Sequence, residues 1–402
     1  MTRNRLLLTS LSLALVVADW AAAADDSLRS TAVQLPVAGE VQEARIPQGY
    51  GLEMLTDRLD RPRMLTFGPN GDLFIGSRGG KVYRLSPPYR DPQVLVDTGD
   101  YPHSVAFRDG EILIARTDGL YRAPYRLGQK RLDPGELRLL APLPGGGGHS
   151  SRTVRIGPNG RVYVSLGVAG NCSDQYLSDA YRFDDRRGGI MVLDENGSRS
   201  AWEPFSTGLR NPVGYDWQPH TGVLYASNNG PDHWGFGLPP EYFSRIEHGS
   251  FHGMPWFQFD GKAIRRDDCI DRPPPRPRSD VQIPAVTFPS RSAPMAVAFV
   301  PRGAMDPSLE GDAVVALHGS WATQPFGSAG GDPTTRRPPK LVVVRFAGGK
   351  PRDVKDLVTG FQLADGQRWA RPAGVAFGPD GALYFTSDSA ANALFRLRHT
   401  DR

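Results

Sequence analysis

Three histidines and a set of arginines are the residues of this sequence best suited to chemistry. His103, His149 and His318 each stand beside a short apolar run, and arginines recur beside runs of the same kind. A neutral imidazole can accept a proton from a substrate hydroxyl near physiological pH. A guanidinium offers paired donors that match a carboxylate or a phosphate. These residue types indicate proton transfer next to an anionic ligand.

The elements that would position these residues repeat six times. Each repeat has an apolar run that ends in an aromatic residue or isoleucine, then a tight turn, then a second alternating run. Several turns read Gly-Pro-Asn-Gly or Gly-Pro-Asp-Gly, in which glycine supplies the positive φ of a β-hairpin. The first runs of the six repeats are residues 64–67, 105–107, 154–156, 215–217, 297–299 and 375–377.

The spacing of these repeats predicts the architecture. Successive hairpins lie 40 to 82 residues apart, and helical periodicity is scarce. Repeats of this length that share one turn chemistry are typical of a radial array of small sheets. We therefore expect an all-β fold, a six-bladed β-propeller of four-stranded antiparallel blades.

This architecture also predicts which face carries the chemistry. The hairpin turns would all lie on one face, so the starts of the first strands and the ends of the second strands would meet on the other. The polar residues at those positions are Arg61, Arg63, Tyr101, His103, His149, Arg152, Arg210, Asn211, Arg291, Ser292, Arg371, Arg78, Arg116, His318 and Asp388. Converging arginines imply a polycarboxylate or phosphate ligand. The alternative is that they pair with blade carboxylates such as Asp388.

Four motifs resemble one known family. They are residues 146–153 (GGGHSSRT), 208–214 (GLRNPVG), 317–321 (LHGSW) and 371–376 (RPAGVA). They look like the blade motifs of the glucose/sorbosone dehydrogenase family, in that family's order, and the resemblance covers roughly residues 46–398. It is closest to the sorbosone and pyranose dehydrogenase branch. Members use pyrroloquinoline quinone (PQQ) with calcium and oxidise sugars without a nicotinamide.

The resemblance implies a role for each matching residue. His149 would be the catalytic base, and Arg210 with Asn211 would flank the reactive quinone oxygens, where arginine stabilises developing negative charge. Backbone carbonyls of Gly230 and Pro231 would hold calcium, an ion that prefers oxygen ligands. The remaining cofactor-binding positions are Lys340 and Arg371, as clamps for the cofactor's carboxylates, His318 at a matching position, and His103 at the rim.

Three departures leave the substrate open. Gly148 stands where the glucose branch carries an acidic residue that orients the base, and Arg291 stands where the sorbosone branch is expected to carry histidine. The loop after Trp321 is longer than usual. Such changes are compatible with a propeller that binds a carbohydrate or protein without catalysis. A calcium-dependent lactonase is a further alternative, but it would need a central cage of Glu, Asp and Asn side chains.

The sequence also contains two long insertions and one pair of closely spaced histidines. Residues 232–296 contain a Pro- and Arg-rich run, 272–278, that predicts an exposed extended loop, and residues 322–339 have no strand pattern. Each insertion is either a substrate-selecting loop or idle surface. His248 and His252 have a spacing that suits a metal site on a helix, but the nearby glycines and Pro255 favour a turn.

The chain start and the cysteines predict the compartment. Residues 1–24 combine a basic start, an apolar stretch and an A-x-A site, the pattern of a signal peptide, and the stretch is too short for a membrane anchor. We expect an N-terminal extension at 25–45, the propeller domain at 46–398, and a periplasmic or secreted protein. Cys172 and Cys269 would then form a disulfide.

The charge of the chain limits its partners. The net charge is only +4, and no basic cluster tracks one face, so nucleic acid is not an expected partner. The resemblance implies a small sugar substrate and an electron acceptor such as a cytochrome or a quinone.

Overall fold

The fold was taken from a computed structural model that describes residues 28–195, 201–325 and 328–400. The predicted signal peptide, residues 1–24, lies outside these residues. In the described part, six antiparallel sheets follow one another along the chain, and the first strands of neighbouring sheets contact each other. The predicted all-β six-bladed propeller is confirmed. No helix of the described residues is long and apolar enough to cross a membrane.

Each blade is named by its order in the chain, and its strands run from the inner strand outward. Blade 1 consists of Pro62–Phe67, Leu73–Ser77, Lys81–Leu85 and Gln93–Asp97, and blade 2 of Ser104–Arg108, Glu111–Ala115, Gly119–Pro124 and Arg138–Pro142. Blade 3 consists of Arg152–Ile156, Val162–Leu166, Gly189–Asp194 and Ala201–Thr207, and blade 4 of Tyr215–Trp217, Leu224–Asn228, Glu241–Ile246 and Val286–Phe288. Blade 5 consists of Pro294–Phe299, Ala313–Leu317, Lys340–Ala347 and Lys350–Val358, and blade 6 of Pro372–Phe377, Leu383–Ser389, Ala391–His399 and Tyr50–Thr56.

The last blade closes the ring. Its outer strand, Tyr50–Thr56, comes from the start of the propeller and pairs antiparallel with Ala391–His399. Before it, Ser30–Val37 and Glu40–Pro47 form a hairpin that joins the core of blades 5 and 6. Most of the expected N-terminal extension, residues 25–45, lies in this hairpin.

The insertions add small elements to this frame. Ser250–Phe251 pairs parallel with the outer strand of blade 3, and Phe257–Phe259 pairs with Ile264–Arg266. His248 lies in a turn, as expected. Short 3-10 turns occur at Pro134–Glu136, Phe183–Asp185, Arg278–Asp280, Pro307–Leu309 and Pro333–Thr335.

Aromatic pairs seal the seams between blades on the turn side. The aromatic residue of one blade's second strand packs edge-to-face against an aromatic residue at or next to the end of the next blade's inner strand. Ring centroids lie 4.7 Å apart for Phe74 and Phe107, and 5.2 Å apart for Tyr163 and Trp217. Such pairs contribute packing and a preferred geometry. The aromatic ends of the inner runs are therefore structural, which leaves the opposite ends free for chemistry.

Candidate active site

His149 has a fixed protonation pattern. It lies half-buried just before the inner strand of blade 3, and its Nδ1 is 2.5 Å from the carbonyl oxygen of Val168. A carbonyl only accepts, so Nδ1 carries the proton and Nε2 keeps its lone pair. Burial, and then the charge of Arg210, lower the pKa of His149 to about 4. The imidazole is therefore neutral at physiological pH, with Nε2 able to take up a proton.

Two buried arginines hold the glycine-rich loop that carries His149. Arg152 donates to the carbonyl of His149 at 3.0 Å and to that of Pro144 at 2.7 Å. Arg187 donates to the same His149 carbonyl at 3.0 Å and to that of Gly147 at 3.0 Å. A loop rich in glycine would otherwise be mobile, so these contacts fix the position of the imidazole. The role of Arg187 has no signal in the sequence, because it is one of many dispersed arginines.

The structure explains why an acidic residue is missing before His149. Gly148 has a φ of +76°, and a Cβ placed on it would lie 1.9 Å from the carbonyl oxygen of Ala169. No side chain fits at that point without moving the backbone. Val168, rather than an acidic neighbour, orients the imidazole. The departure is thus a local alternative for holding the base.

His149 and Asn211 lie on either side of a second glycine. A Cβ on Gly167 would meet Oδ1 of Asn211 at 2.4 Å and Cβ of His149 at 2.5 Å. The two predicted site residues, which are far apart in sequence, therefore converge across one backbone position. Asn211 is buried and receives a hydrogen bond on its carbonyl from Asn229 at 3.1 Å.

Arg210 is held by two neighbours and keeps an unused donor. Its Nη2 donates to Oδ1 of Asn171 at 2.7 Å and to Oδ2 of Asp232 at 3.1 Å. Its Nε is buried and has no partner among the described residues. A buried donor without a partner carries a desolvation cost, as expected where a ligand binds. Asn171 was not predicted, since a lone asparagine in a loop carries no pattern.

Arg291 also binds Asp232. It ion-pairs with the carboxylate and donates to the backbone carbonyls of Asp232 and Gly235. The arginine found where histidine was expected therefore stabilises the segment that follows Pro231. Its charge is neutralised by Asp232 rather than left for a ligand.

Gly230 and Pro231 are buried between these contacts. A Cβ on Gly230 would lie 3.3 Å from Pro239, so the segment packs closely against the start of the third strand of blade 4. Glu241, in that strand, is also buried, and burial raises its pKa to about 8. Glu241 was not predicted from the sequence, because no motif marks it.

The described residues contain no cage of carboxylates. Among them, one group of three His, Cys, Asp or Glu side chains has its ligating atoms within 4.8 Å, namely Cys172, His233 and Cys269. Two of these are joined as a disulfide, which confirms the predicted pairing. The acidic cage that a calcium-dependent lactonase would need, a group of three carboxylates, is missing from the described part.

His318 and Arg371 belong to a second group, at the seam of blades 5 and 6. Nε2 of His318 lies 2.6 Å from Asp388, whose other oxygen pairs with Arg63. Burial lowers the pKa of His318 to about 4, against the opposing effect of Asp388. The Arg371 guanidinium donates to the carbonyls of His318 and Gly319 at 3.0 and 2.9 Å.

His103 lies below the surface instead of at the rim. It is fully buried, with Nδ1 3.0 Å from the hydroxyl of Tyr101 and Nε2 3.2 Å from that of Thr153. Thr153 donates its own proton to the carbonyl of Val213, so His103 donates from Nε2 and accepts at Nδ1. Both nitrogens are used. His103 therefore supports Tyr101 rather than offering a ring nitrogen to a ligand.

Lys340 does not join the other predicted residues. Its ammonium lies 2.6 Å from Asp356 in the outer strand of blade 5. In a β-strand neighbouring side chains alternate between faces, and the sequence does not say which of two adjacent strands a long lysine reaches. Cofactor binding by Lys340 would first require this pair to break.

Part of the ring of arginines is paired with carboxylates, and Arg210 and Arg291 share one of them, Asp232. Arg63, Arg116, Arg210 and Arg291 each have a carboxylate partner. The alternative considered from the sequence, pairing with blade carboxylates, thus holds for much of the ring, and the inference of an anionic ligand has to rest on the arginines that lack such a partner.

Comparisons with known proteins show which family this chain resembles. The family model Glucose / Sorbosone dehydrogenase matches residues 130–324. An uncharacterized protein of Borreliella burgdorferi is 23% identical over 371 residues, which are 88% of this chain and 90% of that protein. This family is the one that the four motifs resemble.

Solved structures share the propeller. The iodide structure of the Trichoderma reesei family AA12 protein has a TM-score of 0.74 at 20% identity, over 88% of this chain and 97% of that one. The holo form of the pyranose dehydrogenase PQQ domain of Coprinopsis cinerea has 0.70 at 18%, over 90% and 98%. The soluble aldose sugar dehydrogenase of Escherichia coli has 0.62 at 18%, over 87% and 99%. These likenesses show the fold, and the family model Glucose / Sorbosone dehydrogenase matches the part of the chain, residues 130–324, that contains His149, Arg210 and Asn211.

Proposed function

We propose that this protein oxidises a sugar by hydride transfer to PQQ, with calcium bound, and that His149 is the base. The observation that carries the proposal is the unprotonated Nε2 of His149, whose side chain meets Asn211 at Gly167 and whose pKa is lowered by the neighbouring charge of Arg210. A proton acceptor beside a fixed positive charge suits the removal of a proton and a hydride from one carbinol. The likeness to a pyranose dehydrogenase and to an aldose sugar dehydrogenase supports a sugar as substrate.

The residues present fit a quinone with carboxylate groups. Arg210 has a buried Nε without a partner among the described residues, and Gly167 leaves the space between His149 and Asn211 free of a side chain. Arg371 has no carboxylate within ion-pair distance in the described part of the chain. Arg210 and Asn211 would lie at the quinone oxygens, and Arg371 would hold a carboxylate.

Calcium would depend on backbone oxygens. The carbonyls of Gly230 and Pro231 would bind it, as hard oxygen donors. Asp232 is already shared by Arg210 and Arg291 and is not offered as a ligand. A site with so few charged ligands would bind calcium weakly without the cofactor's own oxygens.

The chain's residues would act as follows. PQQ, when bound, supplies the hydride acceptor. Nε2 of His149 takes the hydroxyl proton of the sugar, while Nδ1–H stays bonded to Val168 and fixes the ring plane. Asn171 and Asp232 aim the Arg210 guanidinium, whose charge stabilises negative charge that develops beside it. The low pKa of His149 favours release of the proton to water after turnover.

The setting of the activity is also part of the proposal. We infer export to the periplasm or the exterior from the predicted signal peptide, and a cytochrome or quinone as the final electron acceptor. A propeller that binds carbohydrate without catalysis is the second candidate, favoured by the neutralisation of Asp232 and by Lys340 facing Asp356.

Dye reduction separates the two candidates. Purified protein incubated with PQQ and calcium is assayed with an artificial electron acceptor against a panel of aldoses. We expect turnover with at least one sugar and its loss on removal of PQQ. His149→Ala should retain the quinone and lose turnover, because only the base is missing; unchanged turnover in that variant would remove His149 from the mechanism.

A further inference from the structure

Three arginines in one sector of the site face lack a carboxylate partner among the described residues. Arg336, Arg368 and Arg371 lie there and are called the rim arginines. Arg336 follows the 3-10 turn Pro333–Thr335, inside the insertion at 322–339. Arg368 and Arg371 lie just before the inner strand of blade 6, Pro372–Phe377.

The rim arginines have no carboxylate partner in the described part of the chain, unlike several other arginines of the face. No carboxylate of the described residues lies within 4.0 Å of their guanidinium nitrogens, whereas Arg63 and Arg291 are paired. Arg371 donates to backbone carbonyls. Arg368 donates to Oε1 of Gln362 at 2.9 Å and to the carbonyl of Arg337 at 3.1 Å. These partners orient the guanidinium groups but leave their charges uncompensated.

Arg336 has an unused donor. Its Nε is buried and has no hydrogen-bond partner in the described part of the chain. Gln362 ties the segment to Arg336 as well, because its Nε2 donates to the Arg336 carbonyl at 3.5 Å. The insertion and the approach to blade 6 are thus held together at the backbone, with the charged groups of both beside each other.

The three charges repel one another. Burial, then Arg371 and Arg336, lower the pKa of Arg368 to about 10. Burial also lowers the pKa of Arg371 to about 10, although Asp388 opposes it. Cations kept close together and partly desolvated destabilise the fold unless an anion binds between them. The cluster is therefore better explained as a ligand site than as a stabilising feature.

The location favours a substrate over the cofactor as that ligand. Arg371 donates to the carbonyl of His318, one of the residues expected at the cofactor, so it is the member suited to a quinone carboxylate. Arg336 comes from the long insertion, and Arg368 from a loop whose neighbours Leu363 and Asp365 are exposed. Loops on a rigid scaffold are where substrate selection is expected.

We propose that Arg336 and Arg368 bind a carboxylate carried by the substrate, so that this protein acts on an acidic sugar such as a hexuronic acid. The inference rests on the proposed function for the chemistry at the other end of that sugar. Two guanidinium groups supply the paired donors that a carboxylate accepts. A neutral hexose would lack these contacts and leave the donors unpaired.

Glucose and glucuronate form a matched pair of probes, since they differ only in a hydroxymethyl group replaced by a carboxylate. With the quinone- and calcium-loaded protein, we expect kcat/KM to be higher for glucuronate than for glucose. In Arg336→Gln or Arg368→Gln, kcat/KM for glucuronate should fall about ten- to hundredfold, the effect of losing a hydrogen bond to a charged group, with little change for glucose. Arg302→Gln is the control, because it removes the same charge from an exposed loop on the turn face.

Measurements of PQQ and glucuronate binding separate the inference from the proposed function. Equal kcat/KM for both sugars in the wild type, or loss of PQQ affinity in Arg336→Gln and Arg368→Gln, would overturn the inference; the second result would assign the cluster to the cofactor. If the wild type takes up no PQQ, the proposed function fails, and calorimetry with glucuronate on the quinone-free protein then tests the inference. Glucuronate binding that is lost in the two variants and kept in Arg302→Gln would support it, and no binding by the wild type would overturn it.

Discussion

The protonation of His149 depends on the residues that contact or adjoin its side chain. Val168 fixes the tautomer by accepting from Nδ1, and Arg210 with burial keeps the ring neutral. The base is then ready before the substrate arrives. Its environment also makes it a weak base, so hydride transfer and proton transfer must proceed together for the reaction to be favourable.

The pH dependence of catalysis follows from this environment. The base is active when it is unprotonated, and its pKa is lowered to about 4, so activity is present above that pH and is lost as the pH falls through it. We expect kcat/KM to stay level from pH 8 to pH 5 and to fall towards pH 4. In Arg210→Gln the acidic limb should move to higher pH, because a positive neighbour is removed. A wild-type limb near pH 6.5 would contradict the assigned environment.

Residue identity was easier to predict than residue contacts. His149, Arg210 and Asn211 follow motifs, and the structure brings them together. His103 and Lys340 fit the pattern equally well in the sequence, yet one is buried against Tyr101 and Thr153 and the other pairs with Asp356. The direction of a side chain depends on tertiary neighbours, which spacing along the chain does not contain.

At the scale of elements, one loop links the two predicted catalytic residues. The segment from Gly167 to Asn171 supplies the carbonyl that holds His149 and the amide that holds Arg210. Its precision depends on Gly167, which lies between His149 and Asn211. Neither Asn171 nor Gly167 was predicted, because the residues that give them a role, His149, Arg210 and Asn211, are distant in sequence.

A methyl group at Gly167 should lower both the activity and the stability of the protein. In Gly167→Ala the added Cβ would meet Asn211 and His149, so we expect kcat/KM to fall at least about tenfold, with a loss of about 1–3 kcal/mol in the free energy of unfolding from overpacking. Steady-state kinetics and urea unfolding measure the two effects. Gly237→Ala is the control, since no heavy atom lies within 4 Å of its added Cβ. Full activity in Gly167→Ala would contradict the close approach of His149 and Asn211.

The disulfide anchors this same loop. Cys172 follows Asn171 directly and is joined to Cys269 across 97 residues of sequence. A parallel link runs through His233, which lies 3.0 Å from Asp267, two residues before Cys269. Arg210 is therefore oriented by Asn171, whose loop is anchored by the disulfide between Cys172 and Cys269.

Removal of the disulfide should affect both stability and the site. For Cys172→Ser with Cys269→Ser we expect a loss of about 2–5 kcal/mol in the free energy of unfolding, because a long loop is no longer closed in the unfolded chain. Urea unfolding measures it, with the wild type under reducing conditions as the comparison. A loss of kcat beyond the change in folded fraction would show that Asn171 has lost its hold on Arg210. Unchanged stability would show that the loop is fixed by its other contacts alone.

At the scale of the whole molecule, a strand near the start of the chain pairs with a strand near its end. The inner strands and their turns could be predicted because alternation and Gly-Pro-Asx-Gly turns are local signals. The closing pair of Tyr50–Thr56 with Ala391–His399 could not, since its partners are more than three hundred residues apart and neither strand specifies the other. The circular arrangement in turn places six strand starts around one channel, and it gives the site its density of charged groups.

Reconstitution with PQQ tests whether this protein is a quinone-dependent sugar dehydrogenase. Purified protein is titrated with PQQ in the presence of calcium, the bound fraction is followed by absorption, and the sugars of the dye-reduction panel are then added. The account predicts saturable uptake at micromolar quinone, a spectral change on addition of a substrate sugar, and uptake without that change in His149→Ala. No uptake of quinone by the wild-type protein would contradict it.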